Sequence, residues 1–518
     1  MPKRSTTDFD AIVIGAGHNG LITAAYLARS GLSTLLLEAR PDVGGTASSE
    51  IYEGTTVNIC NCDHLAFRTT PVSEELGLGQ YGLSYIDVDP PQINGDWSSE
   101  KFWALYHDVD QTIDALASVH PESAAQYQDY VRTMLPVARL IIDAASRPPS
   151  RMSLLGTVMR HGGRGLTSLL KMSKMSAADV MRQFFTNDAV IGPAMVEGPV
   201  VWGVSPETPG TGLGALSYVL RHTGILGRPV GGSGSLPNSI KQSFLSHGGM
   251  LRVNTRVTGI LCEGNRVSAV QTGDGATMTA RIVVSACDPR RTFVQWLKNP
   301  PARAQSLIDR WEKSQVNEGY ESKIDAVTSV APILKGLADP QLINRSHGST
   351  TIISPSLAEL HRGAQLMREG RTMPRMALLT NSPAVIDPSL APPSLHVFSM
   401  EALYTPYSFQ DGWESKHEPE RWLRQYSSLV QPEFLDSIIS WRVLTPHNYE
   451  TEFHLPKGHA TSFTGGPLAA FIGSTPELTR YHTPIRGLYL TGAATFPGAG
   501  VWGASGRNTA MVILAQMK

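Results

Sequence analysis

The pattern of apolar and polar positions is clearest near the start of the chain. Phe9–Ile14 (FDAIVI) is apolar almost throughout, as a short strand buried on both faces would be. A glycine-rich stretch, Gly15-Ala16-Gly17-His18-Asn19-Gly20, follows it. Leu21–Ser30 (LITAAYLARS) then offers small and apolar residues that suit a helix packed on a sheet, and Gly31 stands where a helix stops. Ser33–Leu37 (STLLL) predicts a second strand that ends on Glu38. The pattern is a βαβ unit with its glycines at the strand-to-helix turn.

A second patterned region runs from Met250 to Ala286. Its apolar and polar residues alternate in three runs separated by Glu263–Asn265 and Gly273–Gly275, which predicts strands joined by turns. Leu236–His247 before it reads as a helix that stops at Gly248-Gly249. A third region, Gly487–Lys518, reads as strand, glycine-rich turn and helix. At 518 residues the chain exceeds what one core usually supports, so two domains are expected. The first is expected from residues 8–90, 226–300 and 476–518. The second, facing the substrate, is expected from 91–225 and 301–475, where most of the prolines and tryptophans fall.

Composition narrows the function classes. With 41% hydrophobic residues, 17% charged residues and a net charge of −1, nothing pulls the chain as a whole toward nucleic acid. Four cysteines (Cys60, Cys62, Cys262, Cys287) are too few for a disulfide framework, which fits a cytoplasmic protein. The polar first nine residues do not read as a signal peptide, and no run of about 18 apolar residues predicts a membrane span. Ala145–Ser176 carries arginines, lysines, leucines and methionines without an acidic residue, so peripheral contact with a membrane stays open, as does a lid or homo-oligomer contact.

The glycine pattern has a mechanical purpose. Gly15 allows the tight turn, Gly17 lets a pyrophosphate approach the backbone, and Gly20 lets the helix pack close to the strand. The helix N-terminus then faces the phosphate charge. Glu38, closing the next strand, is placed to accept hydrogen bonds from a ribose 2′-hydroxyl. These features fit either NAD or FAD. The following Gly44-Gly45 pair lets the chain pass the diphosphate from the other side.

With that pair included, the chain resembles the FAD enzymes of glutathione-reductase-type fold, a group that includes amine oxidases and carotenoid desaturases. Gly487–Gly492 (GLYLTG) and Phe496–Gly506 (FPGAGVWGASG) resemble the closing motif of the phytoene-desaturase-like proteins. Further resemblances lie at Glu75–Leu78, Asp89–Pro91, Pro229–Gly234, Thr255–Val257 and Ser285–Pro289. The fold implied is α/β: a Rossmann-like FAD-binding domain with an α+β substrate domain. The resemblance implies that Gly15, Gly17, Gly20, Glu38, Arg40, Gly44, Gly45 and Thr46 surround the ADP half of FAD and that the backbone of Val257 meets the adenine. It also implies that Gly492, Ala493, Gly500, Val501 and Trp502 run along the ribityl chain and ring. Three departures stand out. Ala493-Ala494 replaces a frequent acidic position, Phe496 a frequent histidine, and Thr464-Gly465 a frequent His-Gly pair.

Cys60-Asn61-Cys62-Asp63-His64 is the most chemically dense local cluster. It lacks a fourth ligand for a metal and the Cys-x-x-Cys spacing of a redox pair, so no metal is expected. The family resemblance brings this stretch to the substrate face of the flavin, which makes His64 the candidate base or lining residue; the alternative is a packed loop with buried thiols. Trp202 and Trp502, both in glycine-rich turns, are expected as pocket walls. The expected activity is hydride transfer from a C–H bond of a small, apolar molecule to flavin, forming C=C or C=N. Oxygen, a quinone or another acceptor would then reoxidise the flavin. Redox-neutral isomerisation of a conjugated substrate and a non-catalytic, flavin-stabilised interaction protein are the alternatives.

Overall fold

A computed structural model describes residues 7–60, 62–337, 348–463, 466–473 and 475–517. The Thr464-Gly465 departure therefore lies outside the described residues. Strand Phe9–Ile14 sits at the centre of an eight-stranded sheet. It pairs in parallel with Thr34–Leu37 on one side and Thr277–Ser285 on the other. Thr277–Ser285 also pairs in parallel with Leu488–Leu490, so stretches far apart in sequence meet at one strand end. The central strands are buried on both faces, which explains why Phe9–Ile14 shows an unbroken apolar run rather than alternation.

Three helices cover one side of this sheet. Helix His18–Arg29 packs on Ser235–Ser246 and on Ala504–Met517. The close approach to Ala504–Met517 depends on glycine: a Cβ on Gly506 would lie 2.4 Å from the Asn19 carbonyl oxygen. The first and last of these helices begin three residues earlier than their apolar patterns suggest, at His18 and Ala504. In the first case Gly17 stands in extended conformation as the N-cap, so the turn of the helix opens inside the glycine motif.

The second sheet has seven strands, in the order Ile438–Leu444, Glu321–Thr328, His396–Leu403, Ala377–Asn381, Thr350–Ser354, Gln92–Asp96 and Phe102–Leu105. All neighbouring pairs are antiparallel except Thr350–Ser354 with Gln92–Asp96. A large apolar core lies against it, including the buried rings of Trp103, Tyr127, Tyr130, Phe185 and Tyr218, which meet edge-on or tilted. Among the described residues no helix is long and apolar enough to cross a membrane.

Candidate functional site

Two cavities meet where the two sheets face each other. The first, about 230 Å³, lies at the ends of the parallel strands and along the glycine turn. Ile14 leads into Gly15, and a Cβ on Gly20 would stand 2.0 Å from the Gly15 carbonyl oxygen, so only glycine lets the helix start this close to the strand. At Gly17 the opposite holds: an added Cβ would meet nothing within 4 Å. Gly17 forms a bridge with Gly44, whose N–H donates to the Ala16 carbonyl at 2.8 Å, and Gly44 holds a φ of +112° that favours glycine. Two backbone segments thus leave a side-chain-free channel between them.

Glu38 closes the strand end beside that channel. Its carboxylate accepts hydrogen bonds from the backbone N–H of Ala16 at 2.7 Å and of Arg40 at 2.9 Å, which fixes its orientation toward the cavity. Arg40 is held by Glu50 at 3.1 Å and lies 4.1 Å over the Phe453 ring. Gly15, Gly17, Gly20, Glu38, Arg40, Gly44, Gly45, Thr46, Val257, Gly492 and Ala493 all line this first cavity. A cradle free of side chains, a helix N-terminus and an anchored carboxylate fit the pyrophosphate and ribose of FAD.

The second cavity, about 410 Å³, is lined by Gly500, Val501, Trp502 and Trp202. His18, Thr46, Leu455, Ala460 and Ala493 belong to the walls of both cavities, so the two adjoin. Ile142, Val201, Trp202, Leu220 and Trp502 give the second cavity an apolar wall. Glu197, Arg221, Glu321, Lys323 and Glu401 bring charge to it.

The charged wall follows from strand geometry. Glu321, Lys323 and Asp325 alternate along one strand and so share a face, and Glu401 pairs directly with Lys323 from the neighbouring strand. Lys323 is buried. Its ammonium donates to the Asn58 carbonyl at 2.8 Å and is paired with Asp325. Arg221 is paired with Glu197, and Arg228 with Asp63 at 2.8 Å. Among the described residues Glu321 has only the Cys60 thiol, donating at 3.6 Å, and no side chain donates to Glu401. Burial, then the neighbouring Glu401 carboxyl, pushes Glu321 well above the usual carboxylate range; burial does the same to Glu401, partly opposed by Lys323. Two carboxyls therefore hold protons readily in the cavity.

His64 lies elsewhere. It is fully buried, lines neither cavity, and has both ring nitrogens engaged: Nε2 with Ser233 Oγ at 2.9 Å and Nδ1 with Tyr85 at 3.2 Å. Burial pushes it down to about 3, so it stays neutral. Its ring thus packs between Ser233 and Tyr85 and does not face either cavity. The histidine that faces both cavities is instead His18, inside the glycine motif, which burial pushes down to about 4. Of the cysteines, Cys60 and Cys62 both line the second cavity, and burial pushes the Cys62 thiol up to about 12. All four are free thiols, and among the described residues no group of three or more potential ligands could hold a metal.

Comparison with known proteins agrees with this geometry. A model of NAD(P)-binding Rossmann-like domains matches residues 13–75, and one of flavin containing amine oxidoreductases matches residues 118–319. Pyridine nucleotide-disulfide oxidoreductase domain-containing protein 2 of Mus musculus is 25% identical, covering 99% of this chain and 95% of the mouse protein. The lycopene-forming phytoene desaturase of a Paracoccus species is 24% identical, covering 100% of this chain and 99% of the enzyme. A wild-type putrescine oxidase solved with putrescine shares the fold, with a TM-score of 0.63 at 15% identity over 98% of this chain and 99% of its own. With the Rossmann-like and amine-oxidase-type matches falling on the observed architecture, the chain is an FAD-dependent oxidoreductase that is similar along its full length to the phytoene desaturases.

Proposed function

We propose that this flavoprotein removes a hydride from a C–H bond of a largely apolar small molecule and leaves a C=C or C=N bond in the product. The observation that carries this reading is that the two cavities adjoin, sharing the wall residues His18, Thr46, Leu455, Ala460 and Ala493. Gly15, Gly17, Gly20, Gly44, Gly45 and Thr46 would hold the pyrophosphate of FAD, and Glu38, Arg40 and Val257 its adenosine. Gly492, Ala493, Gly500, Val501 and Trp502 would hold the ribityl and ring end. When bound, FAD supplies the ring that accepts the hydride and passes the electrons to oxygen, a quinone or another acceptor.

The chain's own residues supply position and proton handling. Trp202, Trp502, Val201 and Leu220 exclude water and take up the apolar body of the substrate. For a C=C product the neighbouring C–H bond must also break: its electron pair becomes the new π bond, and its proton goes to the ionised member of the Glu321/Glu401 pair. For a C=N product the nitrogen lone pair becomes the new π bond, and an N–H proton goes to the same carboxylate. The phytoene desaturase relative supports an apolar, alkene-forming substrate. A second reading is redox-neutral isomerisation, favoured by the same two carboxyls, because a group holding a proton near neutral pH can deliver one to a conjugated substrate and retrieve another.

The test is an anaerobic screen of the FAD-loaded protein against apolar alkenes, polyenes and amines, following visible flavin absorbance and product mass. Bleaching with a product two hydrogens lighter is expected. An isomeric product without bleaching would replace the first reading by the second.

A further inference from the structure

The side chain of His18 is held from both ends of the chain. His18 opens helix His18–Arg29 and belongs to the wall of both cavities. Its neighbour Asn19 is buried, and the Asn19 Oδ1 accepts the backbone N–H of Gly506 at 3.0 Å. A backbone N–H can only donate, so that bond fixes which way round the Asn19 amide stands. The Asn19 Nδ2, 2.9 Å from the His18 Nε2, is therefore the donor, and the Nε2 accepts without a proton of its own. The proton of the neutral ring then sits on Nδ1.

The Gly500 carbonyl is hydrogen-bonded to the same ring. A carbonyl only accepts, so it takes the Nδ1–H, and the backbone N–H of Trp502 donates to it as well, at 2.9 Å. Both lone pairs of that oxygen are thus in use. Gly500 has a φ of +100°, and a Cβ there would meet nothing within 4 Å, so glycine stands there for the turn of the backbone and not for space. The ring thereby joins the first glycine turn to the closing turn at Gly500 and, through Asn19, to the first turn of helix Ala504–Met517. A second proton on the ring would set an N–H against the Asn19 N–H, so the same bonds hold it neutral, and burial favours the same form.

The two turns so joined belong to opposite halves of the cofactor site. Gly17, next to His18, lines the first cavity, where the pyrophosphate of FAD would lie, and Gly500 lines the second, where its ring end would lie. We propose that His18, held as the Nδ1–H tautomer, is the positioning residue that fixes the ring-end turn of the cofactor site to its pyrophosphate turn. The ADP half needs only the first turn. The whole dinucleotide needs both at one separation, and a site that already holds them there spends less of the binding energy on ordering. This deepens the placement of FAD proposed above and rests on it.

The test uses the full-length, FAD-loaded protein. ADP is added until half of the flavin is released, followed by flavin fluorescence, and the ratio of ADP to FAD at that point gives the ratio of the two affinities. His18→Gln can still accept from Asn19 but offers no donor at the Nδ1 position, and it is expected to lower the ratio by about tenfold, the loss of one well-placed hydrogen bond. His18→Asn, whose amide overlies Nδ1, is expected to bring the ratio back close to wild type. Nitrogen NMR of protein carrying labelled histidine, assigned by the signal that His18→Asn removes, is expected to show a protonated Nδ1 and a bare Nε2. A general loosening of the fold would weaken both ligands together, so a ratio unchanged by His18→Gln would overturn the proposal. So would an equal fall in His18→Asn, or a proton on Nε2. Flavin that ADP does not displace from the wild type would refute the placement of FAD on which the proposal rests.

Discussion

The two adjoining cavities are built in opposite ways. The cofactor cavity is formed largely by backbone: glycines at a strand-to-helix turn, a glycine pair crossing it, and one carboxylate pinned by two N–H groups. The second cavity, the proposed substrate site, is formed by side chains from segments as distant as Ile142, Glu321, Glu401 and Trp502. A backbone cradle binds what all members of a fold share. A side-chain wall can change without disturbing it, which is where substrate choice resides.

The sharpest way to break this contrast is to put a side chain into the backbone cradle. Gly17 has the extended conformation that any residue adopts, and its Cβ would point into open space. Gly17→Val is therefore expected to fold and to lose FAD affinity by about a hundredfold or more, roughly 3 kcal/mol, measured as flavin absorbance per polypeptide after dialysis. A fully flavinated variant would refute the cradle.

The side-chain wall should respond in rate instead. Glu401→Gln and Glu321→Gln are expected to keep their flavin and to slow substrate-driven flavin reduction by about 10²–10⁴-fold, the usual range for a lost proton-transfer group. Stopped-flow reduction against a matched flavin-content measurement would separate the two cavities. Unchanged reduction rates would restrict the pair to packing.

The same carboxyls set a pH dependence. Both are raised in the folded state above their unfolded values, so their contribution to stability is complete at acid pH, below the ordinary carboxylate range. It is lost as pH rises through the raised folded values. Melting temperature should therefore fall for the wild type as pH rises from the ordinary carboxylate range to about 8, and less steeply for the Glu321→Gln, Glu401→Gln double variant. Parallel curves would contradict the assigned shifts.

The smallest effect on turnover is expected at His64. His64→Asn should cost about 1–3 kcal/mol of stability by leaving Ser233 or Tyr85 without its buried partner. Flavin reduction should stay within about twofold of wild type, because the ring touches neither cavity.

What the sequence made legible follows the same division. The glycine turn, Glu38 and the Gly44-Gly45 pair lie within one short contiguous stretch, and their spacing carries their geometry. The closing turn at Gly492–Gly506 was legible by its resemblance to a known motif. Glu321 and Glu401 were not, because antiparallel pairing joins residues eighty positions apart. The available signal was Glu321, Lys323 and Asp325 alternating in an otherwise buried strand, where charge is costly unless it serves something. His64 attracted attention because it neighbours Cys60 and Cys62, yet the chain turns its ring toward Ser233 and Tyr85. His18 carries no signal in the sequence, because it occupies one of the variable positions between the motif glycines.

The central claim is that a substrate C–H bond in the second cavity gives its hydride to flavin in the first. Its most direct test is anaerobic rapid-reaction reduction of the FAD-loaded enzyme by a compound from the screen, with deuterium at the oxidised C–H position. The account predicts that deuterium slows flavin reduction and that the label leaves the product's new double bond. Flavin that stays oxidised while the compound is converted to an isomer would contradict it.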